Sequence, residues 1–475
     1  MNIVQIASEA VPFCKTGGLA DVAGALPLAL AKEGHTVSMI IPYYTTKISP
    51  KKHKIREAKG NIKVSVGNKE VVGELFTCKV AHNVTAYLIK NDDYFGRAEL
   101  YQTPEGDYPD NAERFIFFTR AALYVASTLQ PDVIHCHDWQ SAMAPVYLKS
   151  IYKNHKSFAR TKTLLTIHNL GYQGLFPPTA MPLTGLDWEY FTFDKLEFYG
   201  KLNFMKGGIT YADAINTVSK KYAQEILTPE FGCGLEAALA FRKNMLFGIL
   251  NGIDYTEWNP ATDAFLPAKF DGKNTQGKVA CKEQIQSAYK LEVRKDVPLI
   301  GIVGRLTSQK GFDLIDTALP ELMKRDVQIV ILGTGEKKYH DMLLKMAKEY
   351  PQKLGVKIAF DNALAHQIEA ASDMFLMPSY YEPCGLNQMI SLKYGTLPIV
   401  RATGGLDDTI KNRENGFKFN EYTAQAMLAC IDDALGAYKN KPQWNKLVQT
   451  AFANDFSWNA SAKEYVALYD KIIGL

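Results

Sequence analysis

Long apolar runs, a strong net charge, paired cysteines and a nucleotide-binding glycine signature are all missing from this sequence, and each absence removes a class of protein. No stretch is apolar enough to cross a bilayer, so no membrane-spanning segment is expected. The formal charge is only +4 over 475 residues. That balance gives no long-range attraction toward nucleic acid or an anionic membrane, so neither is expected as a partner and phosphate recognition must be local. The seven cysteines (Cys14, Cys78, Cys136, Cys233, Cys281, Cys384 and Cys430) are odd in number and form no C-x-x-C pair, which suits reduced thiols better than a disulfide framework. The segment from Met1 to Ile6 carries no basic leader, and Glu9 interrupts the apolar stretch too early for a signal peptide. A cytoplasmic protein is the expectation. No Walker A sequence occurs, and Gly333-Thr334-Gly335-Glu336 lacks the third glycine of a dinucleotide fingerprint, which weakens P-loop phosphotransfer and nicotinamide chemistry.

What is present is ordinary globular composition, 47% hydrophobic and 22% charged, in a chain too long for one core. Two domains are expected. The chain opens with a strand at 3–7, a glycine-rich loop at 15–18, a helix at about 20–33 and a strand at 36–41. The same grammar restarts with a strand at 299–303, a loop at 304–311, a helix at 312–324 and a strand at 328–332. Further strands at 133–136, 162–167, 374–377 and 397–400 alternate with helical segments, as sheets covered on both faces require. Ligands of such sheets bind beyond the carboxyl ends of the strands, which locates the loops of interest.

Lys15-Thr16-Gly17-Gly18-Leu19-Ala20-Asp21 joins the first strand to the first helix. Glycine lets backbone approach a ligand closely, and a helix start offers free N–H groups to an anion that Lys15 also neutralises. A plain tight turn is the competing reading. His135, His137 and Asp138 end a strand; alternate histidines share a face that would suit a metal, but no His or Cys cluster lies nearby. Buried, hydrogen-bonded histidines are expected instead, with Asp138 facing the cleft. Around His168 and Asn169, the polar, glycine-rich loop running to Gly174 suggests a sugar site.

Arg305 and Lys310 place two fixed cations after the first strand of the second half, where they would oppose the charge developing on a departing phosphate. A solvated basic loop is the alternative. The stretch from Pro378 to Gln388 is the most specific: Glu382 stands at a strand end, and Gly385, Leu386 and Asn387 open a helix whose amides suit sugar hydroxyls and phosphate oxygens. Thr403, Gly404 and Gly405 would add amides. Cys384 has no adjacent His and reads as a packed small side chain rather than a nucleophile.

K-T-G-G-L-A-D, H-C-H-D-W, T-I-H-N-L-G-Y-Q-G, N-G-I-D with Trp258-Asn259-Pro260, G-R-L-T-S-Q-K-G, E-P-C-G-L and K-Y-G-T-L-P-I-V-R-A-T-G-G-L follow one another along nearly the whole chain. In these motifs and their order the sequence resembles bacterial glycogen synthases and plant starch synthases. The resemblance implies an α/β, GT-B architecture of two doubly wound Rossmann-like domains facing an interdomain cleft. Residues 1–247 would form the acceptor-side domain, completed by a C-terminal helix at 458–475, and 248–457 the nucleotide-sugar domain. It implies retaining transfer of glucose from ADP-glucose to the non-reducing end of an α-1,4-glucan, glycogen or a maltooligosaccharide, with no metal and no cofactor. Carried over by position, Lys15, Gly17 and Gly18 face the donor phosphates, and Arg305 and Lys310 bind the diphosphate. Glu382 and the amides after it grip the glucose, while Asp21, Asp138, His168 and Asn169 line the sugar and acceptor side. Phe360 matches an aromatic that stacks on the base. Tyr380, Asn387, Lys220 and Ala237 depart from the family's usual Arg, Thr, Pro and Gly, and Ile390 stands where related enzymes often carry a second Glu.

Retaining hydrolases commonly use a carboxylate nucleophile about 5 Å from a partner acid, and no such pair stands out here. Front-face departure and attack is therefore the expected route, the leaving phosphate taking the acceptor 4-hydroxyl proton and Arg305 and Lys310 stabilising the charge. The rivals are a trehalose- or sucrose-forming enzyme of the same fold, a phosphorylase carrying a pyridoxal phosphate lysine, and a non-catalytic glucan-binding protein. Intact Lys15, Arg305, Lys310 and Glu382 speak against the last.

Overall fold

The computed structural model describes residues 1–474 and resolves two compact units. The first comprises Met1–Val218, Ala223–Ile249 and the chain from Trp458; the second comprises Ser219–Tyr222 and Leu250–Ser457. Leu475, the last residue of the expected terminal helix, lies outside the described residues.

The first unit is built on a nine-stranded sheet: β1 (Asn2–Ile6), β2 (Thr36–Pro42), β3 (Arg56–Val66), β4 (Lys69–Ala81), β5 (Val84–Lys90), β6 (Val133–His137), β7 (Lys162–Ile167), β8 (Ala214–Thr217) and β9 (Leu246–Gly248). Its order is β9-β8-β7-β6-β1-β2-β5-β4-β3. From β9 to β5 the pairing is parallel; β5, β4 and β3 then continue antiparallel. β1 is apolar because both its faces are covered: Ile3, Val4 and Ile6 are fully buried.

Helix α1 (Gly18–Lys32) follows β1 and carries Pro27 in its interior. Proline has no N–H to give the carbonyl of Ala23, four residues earlier. Gln5 of β1 donates its side-chain amide to that carbonyl at 2.9 Å, so the orphaned acceptor is satisfied inside the core. Val22, Leu26 and Leu30 of α1 share one apolar cluster with Trp458, Ala462, Tyr465 and Tyr469 of the terminal helix, Trp458–Ile473, which thus belongs to the first unit's core.

The second unit holds a six-stranded parallel sheet: β10 (Leu299–Val303), β11 (Gln328–Gly333), β12 (Leu354–Ile358), β13 (Met374–Met377), β14 (Leu397–Arg401) and β15 (Phe417–Phe419), in the order β12-β11-β10-β13-β14-β15. The Trp258-Asn259-Pro260 motif packs here. Trp258 stacks on the His366 ring at 3.6 Å, and the Asp263 carboxylate accepts from His366 Nδ1 at 2.8 Å and from the Tyr394 hydroxyl at 2.6 Å. That motif is structural.

In the parallel part of each sheet the strand order reverses beside the first strand, between β1 and β6 and between β10 and β13. Loops leaving adjacent strands diverge at such a point and leave a crevice. Lys15 and Asp138 follow β1 and β6, while Arg305 and Lys310 follow β10 and Glu382 follows β13, so sequence and topology select the same places.

Candidate active site

In the first unit, β1 delivers the loop from Ala7 to Gly17. Its last residue caps α1 without any side-chain hydrogen bond, so the helix start keeps its anion-binding capacity. A Cβ added at Gly17 or Gly18 would meet nothing within 4 Å. Internal packing therefore does not demand glycine at either position, and the open space suits a ligand. Lys15 Nζ lies 2.7 Å from Asp21 Oδ1, both partly exposed.

Beyond β6, Asp138 takes a left-handed backbone (φ 54°) and is buried. Its Oδ1 accepts the His168 N–H at 2.7 Å, and the Asn169 N–H donates as well. Asp138 thus holds the backbone of the loop at His168 and Asn169. Burial pushes its pKa up to about 7 against those hydrogen bonds. Asn169 Oδ1 accepts the Gly171 N–H and shapes the same loop.

His135 and His137 are buried and hydrogen-bonded as expected, and His168 is partly buried beside them. His135 reaches Thr166 Oγ1 at 2.7 Å and Tyr469 Oη at 2.8 Å, and His137 Nδ1 meets His168 Nε2 at 2.9 Å. Burial holds His135 and His168 down to about 3 and lowers His137 as well, so all three are neutral at physiological pH. The described residues contain no cluster of three metal-ligating side chains.

In the second unit, Gly311 ends the loop after β10 at φ 81°, where a Cβ would lie 2.2 Å from the Pro378 carbonyl oxygen. Only glycine permits that approach. The contact lays the β10 loop on the β13 loop and puts Lys310 Nζ 2.5 Å from Glu382 Oε2. Ser379 Oγ donates to the same oxygen at 3.0 Å. Glu382 is buried, Lys310 half-buried, and Arg305 exposed with no ion pair among the described residues.

Asn387 begins helix α2 (Asn387–Lys393) and donates to the Val303 carbonyl at the end of β10, a tie between the two loops at the position usually occupied by Thr. Leu386 caps this helix, and Gly385 (φ 67°) lets the chain turn over the Glu382 side chain. Cys384 is buried with its pKa pushed up to about 12, an unreactive thiol. The Gly405 N–H donates to the Glu382 carbonyl at 3.1 Å, and a Cβ on Gly404 would fall 2.0 Å from that oxygen. The Thr403–Gly405 turn thus supports the Glu382 backbone, its last amide being engaged within the loop. Tyr380, in place of the usual Arg, has its ring 5.6 Å from the Arg401 guanidinium. Phe360 is 91% exposed, open to a stacking partner.

Ser379, Glu9 and the His137–His168 contact were not singled out from sequence. Glu9 had been read only as an interruption of the apolar N-terminus, although a lone acid so close behind a buried strand was a usable signal.

Two doubly wound sheets, each with polar loops at its reversal point, are the architecture of the GT-B class. Residues 2–241 match the starch synthase catalytic domain model and residues 284–449 the glycosyl transferases group 1 model. The glycogen synthase of Koribacter versatilis (strain Ellin345) is 49% identical, covering 99% of this chain and 98% of its own; that of Geotalea daltonii is 48% identical over 100% and 99%. A solved structure, the catalytic domain of starch synthase IV from Arabidopsis thaliana bound to ADP and acarbose, aligns with a TM-score of 0.90 and 33% identity over 100% of this chain and 99% of that one. The chain belongs to the glycogen and starch synthase family of glucosyltransferases.

Proposed function

We propose that this chain moves glucose from ADP-glucose, with retention of the α configuration, onto the 4-hydroxyl at the non-reducing end of an α-1,4-glucan, lengthening glycogen. The observation that carries the reading is the group formed by Lys310, Glu382 and Ser379 at the reversal point of the second sheet. Both donors converge on Glu382 Oε2, which leaves Oε1 for a sugar hydroxyl. Lys310 has three N–H donors and spends one on Glu382, so two remain for a diphosphate that Arg305 also approaches.

As the glycosidic bond to phosphate breaks, negative charge grows on the leaving oxygen and positive charge on the ring. Arg305 and Lys310 oppose the first, and the Glu382 carboxylate opposes the second. The leaving phosphate oxygen takes the proton of the attacking 4-hydroxyl. In this reading neutral His168 is no acid or base; the backbone that Asp138 holds lines the sugar. Lys15 and the amides after Gly17 face the donor phosphates, Asp21 and Asn169 the sugar and acceptor, and Phe360 stacks on the base. No metal or cofactor is required.

ADP as the donor nucleotide is supported by the ADP bound to the Arabidopsis starch synthase domain. Cytoplasmic placement is supported by seven free cysteines, six of them buried; no helix among the described residues is long and apolar enough to cross a membrane. Initial rates with ADP-glucose and UDP-glucose on a maltooligosaccharide test the donor. A clear preference for UDP-glucose would refute it.

A further inference from the structure

We propose that Glu9 is a positioning residue of this transfer, clamping the Lys15–Gly18 loop in the shape that receives the donor diphosphate; the inference rests on the function proposed above. Glu9 lies three residues beyond β1 and is 3% exposed. Its Oε2 accepts the Thr16 N–H at 2.5 Å and the Thr16 hydroxyl at 2.8 Å, and the Gly17 N–H faces the same carboxylate.

A carboxylate this buried is costly to desolvate and normally has a cation beside it. The ionisable groups facing Glu9 are Cys14 of its own loop, Tyr44 beyond β2, Tyr101 beyond β5, Asp21 of α1 and Asp138 beyond β6. None of them is a cation, and Lys15 is turned to Asp21 instead. Among the described residues, the hydrogen bonds to Glu9 come from N–H and hydroxyl groups of its own loop. For folding alone, an apolar side chain would serve better at this place. What the carboxylate does supply is a fixed backbone at Thr16 and Gly17.

The loop needs such a clamp. A Cβ at Gly17 or Gly18 would meet nothing, so side-chain packing does not fix this stretch, and glycine backbone is permissive, so an unclamped loop would have to be ordered at the moment of reaction. A preorganised loop presents Lys15 and the first amides of α1 without that cost. Burial also pushes the Glu9 pKa up to about 7, so the clamp gains or loses its charge near neutrality.

The test uses Glu9→Gln, Thr16→Val and the double variant of the full chain, with kinetics at saturating acceptor and amide hydrogen exchange over residues 15–20. Glu9→Gln is expected to lower kcat about tenfold or more while the donor KM stays within about threefold. Loop amides should exchange faster, with the melting temperature at pH 6 preserved. Thr16→Val should cost less, and should add little in the Glu9→Gln background because both act through one contact. Should Glu9→Gln not fold, Thr16→Val carries the same test, since Thr16 is exposed. An active wild type matched by Glu9→Gln, purely additive losses, or unchanged loop exchange would overturn the positioning role alone. A wild type that transfers no glucose would overturn the proposed function as well.

Discussion

Lys310 Nζ and Glu382 Oε2 stand 2.5 Å apart although 72 positions separate them in the chain. The pair joins the loops after β10 and β13, and in the proposed transfer it couples a cation for the leaving phosphate with a carboxylate for the sugar. Glu382→Gln keeps the shape and removes the charge. We expect kcat to fall about 100-fold with little change in donor KM, because the carboxylate acts on charge that exists only in the transition state. Equal kcat in the two proteins at saturating donor would refute that role.

The same pair predicts a stability pattern. Removing one partner of a buried pair strands the other, at a cost of up to about 3–5 kcal/mol that the partial exposure of Lys310 reduces. Lys310→Ala should therefore lower the melting temperature by several degrees, and adding Glu382→Gln should restore most of it. Calorimetry of the two variants decides this; a double variant no more stable than Lys310→Ala would contradict it.

Glycines of the Lys15–Gly18 loop and the Thr403–Gly405 turn should behave oppositely. Gly404 has φ 45° and its missing Cβ would lie 2.0 Å from the Glu382 carbonyl oxygen, so Gly404→Ala should destabilise the protein by about 1–3 kcal/mol or more and abolish transfer. Gly17 has open space around it and an extended backbone. Gly17→Ala should melt like the wild type yet lose most of the shift in melting temperature that ADP confers.

Six buried groups set an expected pH profile of stability. Burial raises Glu9 to about 7, Asp138 to about 7 and Glu369 to about 8, so each contributes stability that is full below its unfolded pKa and is lost as pH rises through 7–8. His135 and His168 are lowered to about 3, and His137 is also lowered, so their contribution is full above about 6.5 and is lost as pH falls below it. Between about pH 5 and 6.5 the two sets oppose each other. Melting temperature should be nearly flat there and decline on both sides. A scan from pH 4 to 9 checks it, and Glu369→Gln should shallow the alkaline decline.

Much of this was legible beforehand because it is written in local pattern. The short β-branched runs at β1 and β10 carry the restart of the fold, and α1 follows from apolar periodicity. The antiparallel strands β3 to β5 were not foreseen: Lys63, Ser65, Lys69, Glu70 and Lys79 interrupt any continuous apolar run, and their pairing is visible only once β2 is in place. The site divides the same way. Glu382 and Lys310 announce themselves by motif, but their contact depends on the close approach of Gly311 to Pro378. Asp138 stands out by its motif, but only the tertiary fold brings the His168 amide to it. Glu9 lacks any motif, and its partner Thr16 lies across a turn.

The central claim is retaining transfer, and the most direct measurement follows one reaction by proton NMR: the protein with ADP-glucose and a maltooligosaccharide, observing the anomeric proton of each new linkage while released ADP is quantified. The account predicts α-1,4-linked glucose formed one for one with ADP from the first turnovers. A β-linked product, or ADP released without lengthening of the glucan, would contradict it.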